Sequence, residues 1–273
     1  MRELIRWVLV VFWGVLCAAS LAAQMPFYTD DTGVTDPHIL HFEFFNEYDA
    51  LQSSQYPNLN QNTANFKLNY GLPHNLEIDL DAPWLDIYRS SEQQNSAGGG
   101  DTDMGIKWRF HTAAPSSRVP SLAATMYIEF PTGSVREQLG SGLTDYWLNS
   151  IAQEPFTDKT RLTANFGFLF AGNTSTGVIG VQTTRGHVYT GGLSLTHDFP
   201  SRLTLGAEEY GGLADTSGLG RDQLQALAGG WYTVRDGLSF TFAVLGGKYE
   251  ASPRIGGQMG FEVDFPTVLH PHP

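Results

Sequence analysis

Carboxylates two residues apart recur along this chain. Asp79 with Asp81, and Asp101 with Asp103, have that spacing, which on an extended strand sets both groups on one face. Paired carboxylates can divide general acid and general base work in hydrolysis. Asp36 and His38 offer an acid–histidine pair of the kind some proteases use. No histidine is followed two residues later by serine, the pairing that outer-membrane lipid hydrolases use. Gly98-Gly99-Gly100 lacks the strand-then-helix setting of a phosphate loop and reads as flexible loop. His270 and His272 stand between prolines in a tail, too sparse a set for a metal site. Alternating acids on one face of a strand account for the carboxylates without catalysis. The expectation is no catalytic residue, no metal and no cofactor.

The elements carrying these residues are strands. Apolar and polar residues alternate with period two, the signature of a strand with unlike faces. Leu40, Phe42 and Phe44 interleave with His41 and Glu43; Leu76, Ile78 and Leu80 with Glu77 and Asp79; Met104, Ile106 and Trp108 with Asp103, Gly105 and Lys107. The pattern recurs to Phe261, Val263 and Phe265, giving about twelve strands of about ten residues and no helical period. Connections alternate in length. Long ones fall near 49–58, 89–101, 131–144, 172–186, 211–222 and 246–254, short ones near 71–75, 112–120, 155–159, 200–201 and 235–237. A closed up-and-down barrel with short turns at one rim and long loops at the other has this rhythm.

Composition narrows the class. The chain is 41% hydrophobic but only 16% charged, with 30 glycines and 12% aromatics, which excludes disorder. A net charge of −12 excludes nucleic acid as a partner. Arg2 and Arg6, the apolar run Trp7–Leu16 and the small residues around Ser20-Leu21-Ala22 read as a signal peptide over 1–22. The barrel then covers 23–265 and a short tail 266–273. The only cysteine, Cys17, lies in the signal segment, so the exported chain has no disulfide.

Which face is greasy decides the compartment. A soluble barrel turns its apolar rows inward, whereas a transmembrane barrel turns them to lipid. The strands are long for a soluble sheet. Tyr48, Trp84 and Tyr146 at one rim, and Tyr70, Trp108 and Tyr232 at the other, fall on the apolar parity and form candidate aromatic girdles. On this reading the polar rows line the lumen: Glu43, Glu47, Asn65, Lys67, Glu77, Asp79, Lys107, Arg109, Glu129, Glu208, Glu262 and Asp264. Lys107 and Arg109 are expected to pair with Glu77, Asp79 or Glu129 across neighbouring strands. Glu208 and Glu209 are adjacent, which predicts a bulge or strand end.

Gln258, Gly260, Val263 and Phe265 resemble the closing signal that the outer-membrane assembly machinery reads. The chain also resembles the family called putative MetA-pathway of phenol degradation proteins. The likeness rests on Gly100-Asp101 followed by Gly105, Lys107, Arg109 and Phe110, on Pro131-Thr132-Gly133, on Gly140-Ser141-Gly142 with Asp145, and on Glu208-Glu209-Tyr210-Gly211. It implies a Gram-negative outer-membrane β-barrel of the transporter type. Such a barrel would be set in outer-membrane lipid and pass small hydrophobic or aromatic solutes. A structural barrel with a closed, salt-bridged lumen is the alternative, an outer-membrane hydrolase the third, and a soluble periplasmic binding protein the last.

Overall fold

The computed structural model describes residues 25–114, 119–171, 186–215 and 222–267. Residues 1–22, expected to be the signal peptide, lie outside the described residues. Among the described residues thirteen strands run in chain order: β1 (Ile39–Ala50), β2 (Asn58–Leu72), β3 (Leu76–Arg89), β4 (Ser96–Gly99), β5 (Thr102–His111), β6 (Ser121–Phe130), β7 (Asp145–Thr157), β8 (Thr160–Ala171), β9 (Gly186–Phe199), β10 (Leu203–Ala214), β11 (Gln223–Arg235), β12 (Leu238–Gly247) and β13 (Ile255–Pro266). Every pairing is antiparallel. The first and last strands close the sheet, with His41 opposite Asp264 and Glu43 opposite Glu262.

The wall has twelve positions, because β4 and β5 share one. The upper part of β3, Trp84–Ile87, pairs with β4, and its lower part, Leu76–Asp81, pairs with β5. The break falls at Gly100-Asp101, and Asp101 explains it. Its buried carboxylate accepts the Gly133 N–H at 2.9 Å and the Ser141 N–H at 2.6 Å. The chain leaves the ladder there so that this side chain can tie the long 131–144 loop to the wall.

The two faces are inverted relative to a soluble barrel. Phe166 is 63% exposed and Val244 64%, whereas Glu43, Lys107 and Glu262 are 0% exposed. Such an outer surface is stable only where water is replaced by lipid. Glu208 and Glu209 depart from expectation. β10 keeps an unbroken register against both neighbours, so there is no bulge and the adjacent acids follow strict alternation. Glu208 points inward and is buried, while Glu209 is exposed on the outer face.

One segment is not part of the wall. Residues 25–38 fold into the barrel from the short-turn rim. His38 donates its N–H to Gly71 O at 2.9 Å, and Met25, Pro26, Phe27, Thr29, Thr32 and Val34 are buried. At the other end of the chain, Pro266 ends β13 and the Thr267 N–H reaches His38 O at 2.9 Å. The rest of the expected tail lies outside the described residues.

Candidate functional site

The interior is built around this N-terminal segment. At its root the Thr35 N–H donates to Glu77 at the foot of β3. Higher up, Thr32 Oγ1 donates to Gln153 at 2.9 Å. Asp30 occupies the middle. Its N–H donates to Asn165 Oδ1 at 2.8 Å, its carbonyl accepts from Asn165 Nδ2 at 2.7 Å, and its carboxylate meets Lys107 Nζ at 2.7 Å. Asp31 stands 3.8 Å from the same ammonium. The Tyr28 and Thr29 N–H groups donate to the two oxygens of Glu208 at 2.9 and 2.8 Å, and the Tyr28 hydroxyl donates to Glu47 at 2.6 Å. Phe27 ends the climb edge-on to Trp231, packed with Leu227, Ala243 and Leu245.

Two wall glycines make room for the segment. A Cβ at Gly71 would lie 2.0 Å from Asp36 O, and one at Gly192 would lie 2.3 Å from Thr29 Oγ1. Both positions need the missing side chain for close approach, whatever their backbone angles.

Above the segment lies a cavity of about 350 Å³, within the range of small-molecule sites. Phe45, Leu85, Leu169, Trp147 and Tyr210 line it, beside Glu47, Lys67, Asp81, Asp103 and Glu129. Two long loops close over it, the 131–144 loop through Leu139 and Ser141 and the 248–254 loop through Pro253. Leu139 is buried against Leu85 and Ile87.

The inward rows change character with height. On β3 they read Glu77, Asp79 and Asp81 at the short-turn end, then Pro83, Leu85 and Ile87 towards the long loops. On β12 they read Ser239 and Thr241, then Ala243 and Leu245. β8 ends its inward row on Leu169 and Ala171, which pack with Val188 of β9. Towards the long loops β3, β8 and β12 therefore present apolar inward residues, whereas Glu47 and Asp49 of β1, Gln61 of β2, Asp145 of β7 and Gln225 of β11 keep their parts of that half polar. On the β5–β7 side Asp103 faces Glu129 and Glu129 faces Asp145 in register. At the long-loop rim, outside the spanning strands, Asp215 receives the His187 N–H and ring Nδ1 at 2.8 and 2.9 Å. These bonds hold its carboxyl below the usual range.

The residues expected in the lumen distribute unevenly. Glu43, Glu47, Glu77, Asp79, Lys107, Glu208 and Glu262 are buried inside the barrel, and Asn65, Lys67, Arg109, Glu129 and Asp264 are half-buried on the same parity. Lys67 meets Asp81 at 3.4 Å. The expected partners of Lys107 and Arg109 require correction. Lys107 pairs with Asp30 of the inner segment, not with Glu77, Asp79 or Glu129. Arg109 reaches Asn75 of the short turn at 3.3 Å and has no ion pair among the described residues. Asp79 accepts the Tyr127 hydroxyl at 2.9 Å. Asp36 and His38 are both exposed in the turn leading into β1. Of the expected girdle, Tyr48, Trp84, Trp108, Tyr146 and Tyr232 are exposed on the outer face and Tyr70 is half-buried. In the expected assembly signal, Gln258 points inward and donates to Glu47 at 2.6 Å, Gly260 packs against Phe44 and Phe45, and Val263 and Phe265 face outward.

Sequence reasoning missed the inner segment. Residues 25–38 show no strand period, and nothing local says that an irregular stretch ahead of the first strand turns back into the barrel. The one available signal was the run Phe27-Tyr28-Thr29-Asp30-Asp31, too aromatic and too acidic for an idle leader.

Comparison with known proteins places this architecture. The family model described as Putative MetA-pathway of phenol degradation matches residues 58–262. No curated protein matches the chain. Among solved structures, the COG4313 outer membrane channel from Pseudomonas putida F1 superposes with a TM-score of 0.65 at 13% identity, over 86% of this chain and 98% of that one. The KdgM porin gives 0.54 at 11% identity, over 82% and 99%. The translocator domain of autotransporter NalP from Neisseria meningitidis gives 0.52 at 13%, over 83% and 88%. At these identities the likeness is one of fold.

Proposed function

This chain belongs to the family described as Putative MetA-pathway of phenol degradation, and from that premise we propose that it is an outer-membrane channel for small apolar, aromatic-type molecules. One observation carries the reading: the cavity under the long loops sets an apolar wall of Phe45, Leu85, Leu169 and Trp147 opposite polar side chains such as Glu47, Glu129 and Gln225. A water-filled porin has a polar lumen throughout. Such an apolar wall favours solutes that leave water readily. The family's description supports the same class of solute, and the fold shared with a structure described as an outer membrane channel supports a channel. Residues 1–22 act as a removed export signal, the wall extends to Phe265, and the closing strand is read by the assembly machinery.

A closed structural barrel is the second reading, favoured by the inner segment that fills the short-turn half. Uptake separates the two. Cells carrying the wild-type barrel should take up labelled phenol or toluene faster than cells without it. Phe45→Asp, which sets a charge in the apolar wall, should lower that gain several-fold while the folded, heat-modifiable barrel persists. Equal uptake with and without the barrel would leave the structural reading.

A further inference from the structure

The closing seam holds a cluster that the channel reading does not use. His41 and Glu43 of β1 face Asp264 and Glu262 of β13 across the last pairing of the barrel. His41, Glu43 and Glu262 are all buried, and one ligand-capable atom from each lies within 4.8 Å of the others. The arrangement around the imidazole is directional. Asp264 holds Nδ1 at 2.6 Å, and this leaves Nε2 aimed at Glu43, 3.4 Å away. A carboxylate that fixes one ring nitrogen while the other faces further donors is the usual support of a metal-binding histidine.

The carboxylates are underused. Asn69 Nδ2 occupies one oxygen of Glu43 at 2.9 Å, and the other has no partner among the described residues. Glu262 is 0% exposed, and among the described residues neither of its oxygens has a hydrogen-bond partner, although the Met25 N–H lies alongside. Lys67 stands opposite Glu43 in register but turns its ammonium to Asp81 at 3.4 Å. Three carboxylates thus surround one imidazole in a site screened from water, and even a charged imidazole would leave them in excess. An uncompensated buried charge is costly, and a divalent cation removes that cost.

We propose that His41 Nε2, Glu43 and Glu262 bind a divalent transition ion, Zn²⁺ by preference, with Asp264 as the positioning residue. One imidazole nitrogen with carboxylate oxygens suits Zn²⁺ and disfavours Ca²⁺ and Mg²⁺, which take all-oxygen shells. Zinc at about 2.0–2.2 Å from each donor draws tetrahedral ligands to about 3.4 Å apart, so the present cluster needs only side-chain closure. The site lies outside the solute cavity. Its neighbour Asp264 keeps 11% exposure, which gives a path from the short-turn rim. A bound ion would staple β1 to β13.

The full-length barrel, purified in detergent and stripped with chelator, tests this by titration with Co²⁺ and Zn²⁺. One equivalent of Co²⁺ should develop visible d–d absorption, Zn²⁺ should displace it, and thermal unfolding should move upward. Glu262→Gln and His41→Gln should each weaken binding at least about tenfold, whereas Asp215→Asn should not. Zinc-edge absorption on the wild type reports the donor set, and anomalous diffraction reports the position, so the test survives a variant that fails to fold. Three results would overturn the proposal: no stoichiometric ion on folded wild type, an ion located elsewhere, or binding that survives both substitutions and disappears when His270 and His272 are replaced.

Discussion

Lys107 decides how the inner segment is held. Its side chain is fully buried, and its ammonium has Asp30 at 2.7 Å and Asp31 at 3.8 Å. Removing one partner of such a pair strands a buried charge, at a cost of about 3–5 kcal/mol. Asp30→Asn should therefore loosen the segment and lower stability by that order. The double variant Asp30→Asn with Lys107→Met should recover most of the loss, as read by urea unfolding in lipid. Equal losses in the single and double variants would mean the pair does not anchor the segment. Phe166 tests the outer face. It is 63% exposed, and Arg in its place should cost about 2–4 kcal/mol if it lies near the bilayer midplane. Its neighbour Asn165 serves the inner segment through both the Asp30 N–H and the Asp30 carbonyl. Asn165→Ala should thus change conductance while costing less stability than Phe166→Arg. The reverse order of stability losses would contradict a lipid-facing Phe166.

At the scale of elements, the segment 25–38 narrows the lumen that twelve strands enclose. Its seat on β2 is a backbone-to-backbone contact, since a Cβ at Gly71 would meet Asp36 O at 2.0 Å and Thr35 O at 2.4 Å. Alanine is compatible with a strand, so Gly71→Ala should leave the β1–β2–β3 ladder intact and push the root of the segment off the wall. Single-channel conductance in planar bilayers should rise, with little change in the heat-modifiable mobility of the barrel. Unchanged conductance would show that the segment does not limit flow. The loop 131–144 works from the other end. Asp101 leaves its strand to hold Gly133 and Ser141, and Leu139 is thereby seated on Leu85 and Ile87, roofing the apolar end of β3.

For the molecule as a whole, the asymmetry of the connections fixes a sidedness. Outer-membrane barrels keep short turns in the periplasm and long loops outside. Arg136 and Lys248 are exposed in long loops, and Lys159, Arg202 and Arg235 are exposed at short turns. Trypsin added to intact cells should cut at the first set and spare the second until the outer membrane is opened. Cleavage confined to the short turns would invert the assignment. The same sidedness orders the interior. A solute would meet the cavity under the long loops before the segment-filled half, so the inner segment would be the last barrier to the periplasm.

The amino-acid sequence alone determined the alternating strands and put their number at about twelve, and its aromatic rims and long strands pointed to inverted faces. A period of two is a local property, and Phe42, Phe44, Ile78, Leu80, Met104 and Ile106 carry it regardless of what surrounds them. It also marked most inward-facing residues, because parity follows from register once the barrel closes. It could not choose partners among them. Lys107 lies within cross-strand reach of Glu77, opposite it in register, yet meets Asp30, which is 77 positions away in the chain. Only the closed barrel brings an irregular segment into the lumen, seats it against Gly71 and Gly192, and faces His41 and Glu43 towards Glu262 and Asp264. Those meetings join the two ends of the chain, and local pattern carries no information about distance between ends.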